Sequence, residues 1–213
     1  FGVSHLDADF GLMVTASHNP WHDNGVKLFG ADGRKISDEA QDEIETLIAK
    51  ANEKGLPPAS KSGSVKQNQS VSDAYADALI QAFRSTGHGS LSGMKIAVDC
   101  AHGAAFEIMP KILKSLDADM VLIGADPNGQ NINKACGSTH PEALSELVGT
   151  HSADIGLAMD GDADRLILVD NEGALIDGDQ IIARLATDWQ SQGRLKSGAV
   201  VSTVMSNLGL DHY

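Results

Sequence analysis

Cysteine is almost missing from this chain. Cys100 and Cys136, two in 213 residues, stand in no metal or redox spacing, so neither a disulfide framework nor a cysteine zinc site is on offer. Both read as small buried residues, and their scarcity suits a reducing cytoplasm. Aromatic residues are also sparse at 4%, against 42% apolar, a balance that fits an ordinary soluble α/β protein. No apolar run approaches the ~18 residues of a membrane span, and no basic-then-apolar signal opens the chain. Positive charge is in short supply too. Sixteen Lys and Arg against 29 Asp and Glu give a formal charge of −13, which argues against nucleic acid or an anionic membrane as partner. Any anionic substrate must be drawn by local cations or by a metal. There is no Met at position 1, and the chain stops at Tyr213, after a strand-like run (199–204) and what reads as a first helical turn (207–210). A strand left there would lack its covering helix, so a longer protein truncated at both ends is expected.

What the chain does have is concentrated acid. Asp160-Gly161-Asp162-Ala163-Asp164-Arg165 lies between two apolar runs, 155–159 and 166–169, each reading as a short buried strand. Along an extended backbone, side chains at i, i+2 and i+4 share a direction, so Asp160, Asp162 and Asp164 can aim three carboxylates at one point. Three such anions call for a cation. Oxygen-only ligands favour a hard ion, Mg²⁺ first, with Mn²⁺ and Ca²⁺ open. An EF-hand loop would need Gly at its sixth position and Glu at its twelfth, where this chain has Arg165 and Asn171. A solvated acidic turn that binds nothing is the bland alternative.

Upstream, Phe10 to Thr15 reads as a buried strand ending in Ala16-Ser17-His18-Asn19-Pro20. Ligands of open α/β sheets gather where strands end, so this loop is placed for a site, with His18 next to Ser17 as proton partner or as hydrogen-bond donor to phosphate. A plain Ser/Asn/Pro turn has the same composition. After Asp23-Asn24-Gly25, a strand from Val26 to Phe29 carries Lys27, either an edge residue or one aimed at a site.

The rest of the pattern is that of α/β units. Ser37 or Asp38 caps a helix with Ala40, Ile44, Leu47, Ile48 and Ala51 on its apolar face, stopped by Gly55 and Pro57-Pro58. Residues 59–70 read as a linker, and a helix over 71–84 presents Tyr75, Leu79 and Phe83. A strand at 94–98 runs into Cys100-Ala101-His102-Gly103 and a helix, an order that can hold a phosphate at the helix N-terminus. A strand at 120–123 and a Gly- and Asn-rich loop (127–137) follow. Thr139 and Glu142 make a capping box, Asn171-Glu172-Gly173 a hairpin-like turn, and Asp177 and Asp179 an N-cap rather than further metal ligands.

Taken together, Thr15 to Pro20, Asp23-Asn24-Gly25-Val26-Lys27 and Asp160 to Arg165 resemble the α-D-phosphohexomutase superfamily in wording, order and separation. Within it the chain is most similar to bacterial phosphoglucosamine mutases, by Ala16 before the serine, Cys136 to Pro141, Asp177-Gly178-Asp179-Gln180 and Met205-Ser206-Asn207-Leu208-Gly209. The resemblance implies two to three related α/β domains with mixed sheets covered by helices. Residues 1–70 would be the later part of domain 1, 71–173 domain 2, and 174–213 the start of domain 3. The sugar-reading loop and a phosphate-clamping fourth domain are not among these residues, so the 213 residues alone are expected to be inactive.

The implied reaction interconverts glucosamine 6-phosphate and glucosamine 1-phosphate. Ser17, phosphorylated, donates to one sugar hydroxyl, giving a bisphosphate that turns over and returns its other phosphate to Ser17. One Mg²⁺ would be held by Ser17, Asp160, Asp162 and Asp164. Lys27 would be the general base and acid, and Arg165 would orient phosphate or carboxylate through its planar fork. A phosphosugar substrate is implied, and a homodimer of the full-length protein is admitted. Phosphomannomutase/phosphoglucomutase activity, a metal-dependent phosphatase and an acidic Ca²⁺-binding module remain the alternatives.

Overall fold

The computed structural model describes residues 1–55 and 63–211. Pro57-Pro58 and the start of the 59–70 linker lie outside them, and 63–69 carry no regular element. By contacts the chain forms two units, one of residues 1–15 and 25–83, the other of 16–24 and 84–211 among the described residues.

In the first unit, α1 (Gly2–His5) precedes a two-stranded antiparallel ribbon of β1 (Phe10–Thr15) and β2 (Gly25–Gly30), in register from Phe10 opposite Gly30 to Thr15 opposite Gly25. Helices α2 (Asp38–Lys54) and α3 (Ser70–Arg84) follow. Ser37 caps α2, its hydroxyl accepting from the Ala40 N–H at 3.3 Å, and Gly55 ends it at φ 78°, a left-handed value that glycine adopts without strain. Three expectations change here. The β1 strand is not buried: Leu12 and Val14 are more than half exposed, because two strands make too narrow a face to enclose a core. For the same reason α2 buries none of its apolar stripe. On α3 the buried positions are Ala76 and Ile80, four apart, while Tyr75 turns out to meet Phe1, the two rings tilted by 55°.

The second unit is built on a five-stranded mixed sheet of order β4-β3-β5-β6-β7. Its elements are β3 (Lys95–Asp99), α4 (Ala105–Ser115), β4 (Asp119–Ile123), α5 (Glu142–His151), β5 (Ile155–Met159), β6 (Leu166–Asp170), β7 (Leu175–Ile176), α6 (Gly178–Ser191) and a short α7 (Leu208–Asp211). Strands β4, β3 and β5 run parallel, β6 returns antiparallel beside β5, and β7 pairs antiparallel with β6. Alternation along β3 divides the core. Ile96 and Val98 join Leu113 and Ala105 of α4 on one face, while Ala97 joins Leu144 and Val148 of α5 on the other. Gly156 lets α5 sit close: a Cβ there would come within 2.8 Å of Val148 Cγ2 and 3.1 Å of Leu144 Cδ2. Asp177 caps α6, as expected of an N-cap, and the structure adds a full capping box with Gln180. The box expected at Thr139 is absent. A turn at Gly137 to His140 intervenes, and Pro141 stands at the N-cap of α5 instead. Residues 199–204 form no strand, since none of the described residues pairs with them.

Candidate active site

The chain leaves β3 toward β4 on one side, then crosses back to β5 on the other, so the connection switches sides at the carboxyl ends of the parallel strands β3 and β5, where such sheets gather ligands. The acidic loop stands there, as the link between β5 and β6, whose pairing begins at Met159 opposite Leu166. Its carboxylates converge differently from the strand alternation expected. The loop is a turn closed by Ala163 N–H donating to Asp160 O at 3.0 Å, with Ala163 at φ 58°. Carboxylate oxygens of Asp160, Asp162 and Asp164 lie within 4.8 Å of one another.

Asp160 is fully buried. Its Oδ1 accepts from the backbone N–H groups of Asp164 and Arg165, both at 3.1 Å. Its Oδ2 is buried and accepts no hydrogen bond, with Arg165 Nε 3.9 Å away on a half-exposed side chain. Burial pushes the Asp160 carboxyl above its ordinary range, and the charges of Asp162 and Asp164 push the same way, against the two N–H bonds. A buried carboxylate oxygen that accepts no hydrogen bond, beside two more carboxylates, is the environment a cation relieves. Divalent ions with oxygen ligands at 2.0–2.6 Å span about 4–5 Å between opposite ligands, the scale of this triad. The residues fit a hard divalent ion.

Ser17 sits in the same unit, in a turn closed by Asn19 N–H donating to Ala16 O at 2.9 Å. Its backbone is left-handed, φ 51°, and its Oγ lies 3.4 Å from His18 Nδ1. The serine loop rests on the acidic loop at Gly161, where an added Cβ would meet Ser17 O at 2.5 Å and Asn133 Nδ2 at 2.7 Å. No other residue type allows that approach without displacement. Ser17, His18, the aspartate triad and Arg165 thus belong to one unit. Lys27 does not: it is half-buried on β2 of the first unit, opposite Met13.

The supports of this arrangement escaped the sequence reading. Buried Asp99, at the end of β3, accepts from Ala101 N–H at 2.9 Å and Gly137 N–H at 2.6 Å, fastening two loops to the strand. A carboxylate closing an apolar run was the available signal. Ala104 N–H donates to Gly161 O at 2.8 Å, so the start of α4 holds the acidic loop rather than presenting that donor to a phosphate. Asn133 was the other omission. It is buried, and its Nδ2 donates to Ser17 O at 2.7 Å and Asn19 O at 2.9 Å.

Comparison with known proteins agrees with the α/β fold. Residues 1–55, 73–173 and 177–213 match, in that order, alpha/beta/alpha domains I, II and III of phosphoglucomutase/phosphomannomutase. A phosphoglucosamine mutase from Mesorhizobium japonicum is 50% identical over 99% of this chain and 46% of its own length. One from Symbiobacterium thermophilum is 48% identical over 98% and 46%. The chain therefore spans about half the length of the curated relatives it matches. Among solved structures, a putative phosphomannomutase from Thermus thermophilus aligns with a TM-score of 0.68 at 26% identity, over 91% of this chain and 44% of that one. A phosphoglucomutase/phosphomannomutase family protein from Burkholderia thailandensis aligns with a TM-score of 0.66 at 29% identity, over 87% and 39%. With three successive domains matched in order and half of all positions shared with a relative, the chain belongs to the phosphoglucomutase/phosphomannomutase family.

Proposed function

We propose that the full-length protein interconverts glucosamine 6-phosphate and glucosamine 1-phosphate, with Ser17 carrying the phosphate between positions. The observation that carries this reading is the seating of the Ser17 loop on Gly161, in the middle of the aspartate triad. Relatives named phosphoglucosamine mutase, at close to half identity over nearly the whole chain, support the sugar. We read the domains as 1–70, 71–173 and 174–213.

In the forward step the phosphoserine Oγ–P bond breaks as a sugar hydroxyl oxygen bonds to phosphorus, and Lys27 takes the hydroxyl proton. After the bisphosphate turns over, Ser17 Oγ accepts the other phosphoryl group and the proton returns to the product hydroxyl. Phosphoserine carries about −1.5 to −2 charge, so a loose phosphoryl-transfer transition state here depends on charge stabilisation and positioning. Mg²⁺, held by Ser17, Asp160, Asp162 and Asp164, would supply that stabilisation. His18 and Arg165, in the same unit as Ser17, would orient phosphate. A homodimer in the cytoplasm completes the proposal, supported by the resemblance and by the scarcity of cysteine.

Mass spectrometry of the native full-length protein is expected to find phosphate on Ser17, and Ser17→Ala to remove turnover. Full activity without that modification refutes the role. The solved neighbours named for phosphomannomutase favour a second reading, in which the substrate is mannose or glucose phosphate. Turnover of glucosamine 6-phosphate measured beside mannose 1-phosphate and glucose 1-phosphate separates the two.

A further inference from the structure

We propose that Asn133 is a positioning residue for Ser17, a clamp that sets where the serine hydroxyl stands over the acidic loop. The inference rests on the phosphoserine reading above. A primary amide has two N–H bonds to give, and Asn133 gives both to one short stretch, the carbonyls of Ser17 and Asn19 on either side of His18. Its Oδ1 is buried and accepts no hydrogen bond, so the side chain acts here as a donor alone.

The clamp is itself anchored. Asn133 N–H donates to Ala101 O at 2.9 Å, and Ala101 N–H is held by buried Asp99 at the end of the central strand β3. The path from sheet to serine is therefore Asp99, Ala101, Asn133, Ser17. Ser17 needs such a restraint. Its left-handed backbone is disfavoured for any residue with a Cβ, and the Asn19-to-Ala16 turn does not tie the loop to anything outside itself. Gly161 closes the contact from below, its Cα facing both Ser17 O and Asn133 Nδ2. One amide thus touches the serine loop and the centre of the aspartate loop together. Phosphoryl transfer gains mostly from positioning, and misplacement by about 1 Å can cost about 100-fold in rate.

The test compares full-length wild type with Asn133→Asp, which sets oxygen against both carbonyls, and Asn133→Ser, which cannot reach both and serves if the first fails to fold. Asn131→Ala is the loop control, since among the described residues the Asn131 side chain bonds Asp126 and Asn128 within its own loop. With glucosamine 6-phosphate as substrate, kcat is expected to fall about 100-fold while KM stays within threefold, and amide hydrogen exchange at residues 16–20 to rise about tenfold. Asn131→Ala should change neither by more than twofold. Folded Asn133 variants with kcat within threefold of wild type, unchanged exchange at 16–20, or an equal loss in Asn131→Ala would each overturn the clamp. Wild type lacking phosphate on Ser17 sinks the phosphoserine reading and this inference together. Phosphate present with exchange unmoved sinks the clamp alone.

Discussion

The two sheets carry similar apolar runs and meet opposite fates. Phe10 to Thr15 and Ile155 to Met159 are both short apolar runs ending in a polar loop, yet Leu12 and Val14 lie open while Ala158 is fully buried. The difference is the number of covering layers. Strand β5 has β3 and β6 beside it and a helix over each face, whereas among the described residues β1 pairs with β2 alone and no residue of it is buried. A loop hung from a doubly covered sheet inherits its rigidity, which is why three repelling carboxylates can be kept together between β5 and β6. It also shows why the serine loop belongs with the second unit though it leaves a strand of the first. Asn133 and Gly161 both fasten it within that unit.

The largest effect is expected where the rigid sheet carries the chemistry. Asp160→Asn in the full-length protein removes a buried anion while keeping the side chain's shape. Turnover should drop about 100- to 1000-fold, and calorimetry should show divalent-ion binding weakened in parallel. A folded variant that binds the ion within threefold of wild type would break the assignment of the triad.

The comparison itself is sharpened by paired truncations. Leu144→Ala, under the sheet between α5 and β5, should cost about 2–5 kcal/mol. Leu12→Ala on the open ribbon should stay within about 0.5 kcal/mol. Denaturant titration of the full-length protein measures both, and equal losses would mean that the ribbon is covered in the complete chain.

The smallest effect concerns the thiols behind the site. Burial, with the Asp99 charge adding to it, raises Cys100 to about 12 and Cys136 to about 11. Both should resist alkylation at pH 8 in the native state and react once the protein is unfolded. The sign of the linkage follows. These groups hold their protons more tightly folded than unfolded, so their contribution to stability is full below about pH 8.5 and declines as pH rises toward 11–12. Rapid labelling of folded protein at pH 8 would contradict it.

Local features were legible in the sequence because their causes lie within a few residues. The bounds of β5, the Asp177 N-cap, the Gly173 turn and the grouping of Asp160, Asp162 and Asp164 each depend on neighbours along the chain. Even there the mechanism differed, since a turn through Ala163, not strand alternation, gathers the carboxylates. Burial on α2 and β1 was not legible, because periodicity marks an apolar face without saying whether anything covers it.

By itself, then, the amino-acid order determined which short segments become strands and helices, where acid is concentrated, and which hydroxyl is offered at a strand end. Only the tertiary structure decided that Asn133 would reach back 116 positions to Ser17, that Asp99 would fasten Gly137, and that Gly161 would be bare where another loop lands. Such meetings follow from the strand order β4-β3-β5, which brings the ends of distant segments together. Pairing of that kind is a property of the assembled sheet and leaves no periodic trace along the chain.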